Sequence, residues 1–167
     1  KEIKNILKDE TGPIKNFERL ELSKNDLAII NDLLKRKKYS NVHFINWNKE
    51  NKTLLNENPE LKTEIYQQLV ENMLRDSHLA IDLTNCEIDE DFLKCLADSM
   101  KTNRHIGALF LSQHDEHQFE ASDSIHRISK YIRRNNKDFR RFPSDYIHCL
   151  LASHCFASKD ESLEKKM

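Results

Sequence analysis

The stretch Phe17-Glu-Arg-Leu20-Glu-Leu22-Ser-Lys-Asn25-Asp-Leu27 sets apolar side chains at its first, fourth, sixth and last positions, with asparagine shortly before the end. The same register returns at His78-Leu-Ala-Ile81-Asp-Leu83-Thr-Asn-Cys86-Glu-Ile88, where a thiol takes the asparagine slot. Alternating apolar residues within each string suit a short strand with one face toward a core. A further strand, Ile106-Gly-Ala-Leu109-Phe-Leu111, begins 28 residues after His78. Val42-His-Phe44-Ile45-Asn-Trp47 fits the same pattern when Ile45 and Trp47 take the inner slots.

Helical spacing fills the intervals between these strings. Ala28-Ile29-Ile30 and Leu33-Leu34 form a stripe that ends in Lys35-Arg36-Lys37-Lys38, cations suited to the negative end of a helix dipole. A polar loop over 48–58 leads to Pro59, a favoured first helical residue, and then to Leu61, Ile65, Leu69 and Met73 on one face. Asp89-Glu-Asp91 opens a helix carrying Phe92, Leu93, Leu96, Ala97 and Met100. Ile125, Ile128 and Ile132 define another helix, and Tyr146-Ile147 with Leu150-Leu151 fit a last one.

The strings resemble leucine-rich repeats of the ribonuclease-inhibitor-like subtype, whose period is near 28 residues. The resemblance implies an α/β horseshoe, with parallel strands on the concave side, helices on the convex side and a helical C-terminal cap. It divides the chain into an array with its N-terminal flank over 1–136, a cap over 137–158 and a disordered tail over 159–167. Such arrays act as adaptors or inhibitors, so it also implies another protein as partner, gripped by the concave face. In that register Arg19, Glu21, His43, Phe44, Asp82, Thr84, Phe110 and Ser112 point outward and form the expected partner-binding surface. Phe44, Leu79 and Phe110 then supply apolar anchors in a polar surround. Intracellular bacteria that inject proteins into host cells use this repeat class, and the Lys- and Asn-rich composition is compatible with that origin.

Composition narrows the alternatives. The chain has 167 residues, 33% of them charged, with two Gly and three Pro, too few for a turn-rich all-β fold. No run of about 18 apolar residues spans a membrane and no secretory signal is visible, while the expected reduced thiols point to an intracellular, cytoplasmic setting. The net charge of −1 hides an acidic centre: residues 78–123 hold 10 acidic and 3 basic groups. The four cysteines lack any C-x-x-C spacing; the even count permits two disulfides, yet Cys86 and Cys95 occupy slots that favour reduced, buried thiols.

Other chemistries are weaker. Segment 127–141 interleaves Arg127, Lys130, Arg133, Arg134, Lys137, Arg140 and Arg141 with Tyr131, Phe139 and the adjoining Phe142, an alternative site for phosphate, nucleic acid or an anionic membrane. Cys149 or Cys155 beside His148 or His154 is the only thiol-enzyme arrangement in view. His114 and His117 form an H-x-x-H pair in a polar loop, short of the ligands a zinc site needs. The expectation is therefore a non-enzymatic protein without cofactor or metal.

Overall fold

The computed structural model describes residues 2–9 and 11–139. The chain divides into two compact units, Lys1–Asp76 and Ser77–Met167.

The first unit opens with helix α1 (Glu2–Lys8) and strand β1 (Ile14–Asn16). Helix α2 (Lys24–Leu34), a 3-10 turn (Lys37–Tyr39), strand β2 (Phe44–Asn46), helix α3 (Lys49–Glu57) and helix α4 (Pro59–Asp76) follow. The strands β1 and β2 are parallel, Ile14 facing Phe44 and Asn16 facing Asn46, with α2 as the crossover that parallel pairing requires. A capping box starts α2: Ser23 Oγ accepts from Asp26 N–H at 3.2 Å, and Asp26 Oδ2 accepts from Ser23 N–H at 2.8 Å. The stripe Leu27, Ile30, Leu33 and Leu34 is buried, as are Ile65, Leu69 and Met73 of α4. Phe17 and Trp47 meet edge to face in this core, their rings 5.7 Å apart.

The second unit repeats this order with strand β3 (Ala80–Asp82), helix α5 (Glu90–Met100), strand β4 (Ala108–Phe110), helix α6 (Gln113–Phe119) and helix α7 (Asp123–Phe139). β3 and β4 are again parallel, Ala80 facing Ala108 and Asp82 facing Phe110. Asp89 caps α5 as Ser23 caps α2, and Ser112 caps α6 as Asn48 caps α3. The buried residues also correspond: Phe17 with Leu83, Leu27 with Leu93, Ile30 with Leu96, Ile45 with Leu109, Ile65 with Ile128 and Leu69 with Ile132. In each unit a buried asparagine of the last helix holds the lead-in to the second strand. Asn72 Nδ2 donates to Val42 O at 3.0 Å, and Asn135 Nδ2 donates to Ile106 O at 2.8 Å. An arginine completes each contact, Arg75 on Asn72 Oδ1 at 2.8 Å and Arg134 on Asn135 Oδ1 at 2.9 Å.

This architecture overturns the expected α/β horseshoe. The described residues are 60% helix, and their strands form two short two-stranded sheets instead of a continuous strand wall. The string at Phe17–Leu27 explains the difference. Its strand precedes it, at Ile14–Asn16, so Phe17, Leu20 and Leu22 lie in the turn that leads to α2. Phe17 corresponds to Leu83, not to His78, and the two strings are therefore not copies in one register. Asn25, the asparagine of that string, is exposed on α2, and the turn's backbone carbonyls are satisfied by other residues. Asn48 and Asn51 do that work: Asn48 Nδ2 donates to Glu18 O at 2.9 Å, and Asn51 Nδ2 donates to Leu20 O at 2.9 Å. The expected polar loop over 48–58 is mostly helix α3, held by those same residues, and His114 and His117 sit on helix α6. The stripe of Ile125, Ile128 and Ile132 is confirmed in α7, which runs on to Phe139. The cap beyond that residue and the tail over 159–167 lie outside the described residues.

Candidate functional site

The eight residues expected to bind a partner do not form one surface. In the first unit, Arg19 and Glu21 are exposed in the turn between β1 and α2. His43 is engaged instead, its Nε2 2.6 Å from Asp76 Oδ2 at the end of α4. Phe44 is a correction: it is 3% exposed, so it belongs to the core and not to an outer surface. Ile45 and Trp47 do point inward, but the face that pairs Ile14 with Phe44 is covered as well. A parallel strand buried on both sides carries apolar residues without alternation, which hides its outward face from a period-of-two reading.

The second unit brings the other four together. Ile81 and Leu109 face each other across the β3–β4 ladder and are buried, so Asp82 and Phe110, the next pair, project from the opposite face. Phe110 is half-buried there and Asp82 is exposed. The Asp82 carboxylate accepts from the Thr84 backbone N–H at 2.9 Å and from Thr84 Oγ1 at 2.6 Å, which fixes both side chains at the end of β3. Ser112, two residues past Phe110, caps α6 by accepting from Asp115 N–H at 3.2 Å. At the mouth of the ladder Leu79 is 47% exposed, its carbonyl receiving the Gly107 N–H at 2.8 Å. Phe110 therefore shares its face of the ladder with the fixed Asp82 carboxylate.

Among the described residues of this unit, two thiols, Cys86 and Cys95, are free. Cys86 is buried, and that burial, with the carboxylates of Asp82 and Asp115, pushes its thiol up to about 12. Burial, followed by Asp98, Asp91 and Asp89, pushes Cys95 up to about 11. Thiols held protonated in this way are poor nucleophiles. Cys149, Cys155, His148 and His154 lie outside the described residues.

The basic stretch loses part of its free charge to structure. Arg127 pairs with Asp98 at 2.8 Å. Arg134 donates to Lys101 O at 2.9 Å and to Met100 O at 3.1 Å, and it stacks on the Tyr131 ring at 5.0 Å. Lys130, Arg133 and Lys137 remain exposed on α7, while Arg140 and Arg141 lie outside the described residues. Among the described residues no group of three His, Cys, Asp or Glu could hold a metal ion, and no helix is long and apolar enough to cross a membrane. Comparison with protein-family models, with curated proteins and with solved structures finds no match to this chain.

Proposed function

We propose that the chain is a non-catalytic protein-binding module that works as an adaptor or inhibitor inside a cell, engaging its partner through the outer face of the β3–β4 sheet. The observation that supports this reading is the pairing of Phe110 with Asp82 on the face opposite the buried Ile81 and Leu109, with Leu79 exposed beside the ladder. An aromatic ring at the centre of a polar rim is the composition of an interface hot spot. The surrounding segment, 78–123, carries 10 acidic and 3 basic groups, so the complementary partner presents apolar side chains among lysines and arginines. Protonated Cys86 and Cys95 agree with a role that needs no nucleophile.

Affinity capture with the intact chain, run beside Phe110→Ala and Leu79→Glu, tests the reading. Loss of a central aromatic anchor weakens a specific complex by about 2 kcal/mol, roughly thirtyfold. The captured protein should therefore disappear from both variants while their circular dichroism and thermal melts keep the native form. Retention of the partner by both folded variants overturns the assignment of this face.

A further inference from the structure

The two units differ where the short helix after the second strand leads into the last helix. In the first unit Lys62, 7% exposed near the start of α4, reaches back so that its ammonium donates to Asn56 Oδ1 at 2.6 Å. Trp47, just past β2, is buried in the same unit. The offsets that match Ile45 with Leu109 and Ile65 with Ile128 put Leu111 in the place of Trp47, Glu120 in that of Asn56 and Ile125 in that of Lys62. Asn56 and Glu120 each follow a buried residue, Leu55 and Phe119. Leu111 and Ile125, shorter than the residues they replace, line a cavity of about 70 Å³ together with Glu116, Phe119, Glu120 and His126. That is room for about two water molecules. Its apolar wall of Leu111, Phe119 and Ile125 is buried, while Glu116 is half-buried and Glu120 and His126 are exposed. Glu120 keeps helical dihedrals at the end of α6, φ −53° and ψ −39°, which puts it on the same side as Glu116 four residues earlier. Like charges at that spacing repel, and a cation between them relieves the repulsion.

We propose that this cavity binds the end of an aliphatic chain carrying a primary ammonium group, with methylenes against Leu111, Phe119 and Ile125 and the charge at Glu116 and Glu120. The first unit supplies the precedent, because its own Lys62 lays a buried stem there and sets an ammonium on the residue that corresponds to Glu120. In the second unit the acceptor has changed from an amide to a carboxylate, and the lysine has become isoleucine. The site has thus gained charge for a cation and lost its own lysine. An ammonium at the two glutamates makes charge-assisted hydrogen bonds, and its stem removes apolar wall from water. A ligand with a carboxylate end is repelled by both glutamates, and a neutral alkyl chain leaves their mutual repulsion in place. The same chemistry occurs on a free alkylamine and on a lysine side chain of another protein. The cavity uses no residue of the Phe110 and Asp82 face, so it stands or falls separately.

Methyl-resolved nuclear magnetic resonance of the full chain, titrated with n-butylammonium chloride, is the primary test. The methyl signals of Leu111 and Ile125 should shift to saturation. n-Butanol, of similar length but uncharged, should bind about tenfold more weakly, since hydrogen bonds to charged groups are the stronger ones. Glu116→Gln/Glu120→Gln should weaken butylammonium binding about tenfold or more. The control Glu50→Gln/Glu57→Gln, at exposed positions of α3, should leave it unchanged. Ile125→Lys, which restores the lysine of the first unit, should fill the site and abolish binding; if that variant does not fold, the glutamate pair alone decides. A second titration, with the peptide acetyl-Gly-Lys-Gly-amide, separates the two sources. Shifts of the same methyl groups with the peptide assign a lysine side chain, and a response to butylammonium alone assigns a free amine. Absence of shifts with both probes, equal affinity for butanol, or equal binding by the two folded glutamate double variants overturns the site. Circular dichroism confirms that each variant is folded before it is used.

Discussion

Replacing Asn72 or Asn135 with alanine tests the correspondence between the two units at its most constrained point. Each residue is 1% exposed. Asn72→Ala removes a 3.0 Å hydrogen bond to the Val42 carbonyl, and Asn135→Ala removes a 2.8 Å hydrogen bond to the Ile106 carbonyl. A buried carbonyl left without its donor costs about 1–3 kcal/mol. The vacated amide volume adds ~1 kcal/mol of lost contact in a site that cannot fully collapse. Alanine is the better helix former by ~0.6 kcal/mol, which offsets part of the loss. Arg75 and Arg134 lose an acceptor, but each keeps backbone carbonyl partners: Ser40 O at 2.7 Å for Arg75 and Lys101 O at 2.9 Å for Arg134. The net expectation is about 2 kcal/mol for either substitution. Urea denaturation followed by far-ultraviolet circular dichroism measures it, with Glu71→Ala on the exposed side of α4 as the helix-propensity control. A loss below ~0.5 kcal/mol at either position would refute the assigned role of these asparagines.

Two further outcomes follow from buried groups. Lys15 is 2% exposed, donates to the Asp9 carbonyl and occupies the strand position that Ile81 fills in the second unit; Lys15→Met should leave stability unchanged or raise it by up to ~1 kcal/mol. Burial lowers the Lys15 ammonium below its ordinary value of 10.5, with Asp9 opposing. The unfolded chain thus binds the proton more tightly, and stability climbs as pH rises from the folded value toward 10.5. Lys15→Met should abolish that contribution, and a variant more than ~1 kcal/mol less stable at neutral pH would contradict it. Cys86, at about 12, should resist iodoacetamide at neutral pH in the native chain and react readily in urea, as peptide mapping by mass spectrometry would show. Equal labelling rates in the two conditions would contradict its burial.

Much of the helical structure was legible because its signal is a stripe. Ala28 and Leu61, which are half-buried, and Ile29, which is exposed, aside, the spacings of three and four in α2, α4, α5 and α7 mark residues that the fold buries. The β3 string was legible too: Ile81, Leu83, Cys86 and Ile88 are buried while Ala80, Asp82 and Asn85 are exposed. Phe17–Leu27 misled because its apolar spacing is equally satisfied by a turn followed by a capped helix. Ser23 and Asp26 carried the opposing signal, a capping box in the middle of the supposed strand-and-turn string. Helix α3 was hidden for a related reason: over Lys49–Glu57 it buries only Asn51 and Leu55, too little for an apolar stripe. Of the expected binding residues, Asp82 and Phe110 were readable from strand parity.

The strand pairing has a consequence for how the chain acquires its structure. Both ladders close within their own unit, and the asparagine bonds that fasten them span 30 and 29 residues. Closure over so short a length has a modest entropy cost, and local contacts favour rapid folding. During synthesis the first ladder and its asparagine bond need nothing beyond Asp76, so they can form while the second half is still being made. A parallel sheet ordinarily exposes unpaired strands until distant partners arrive. Here the wait is one helix and one turn, which shortens the time in which β1 or β3 can pair with another copy of the chain.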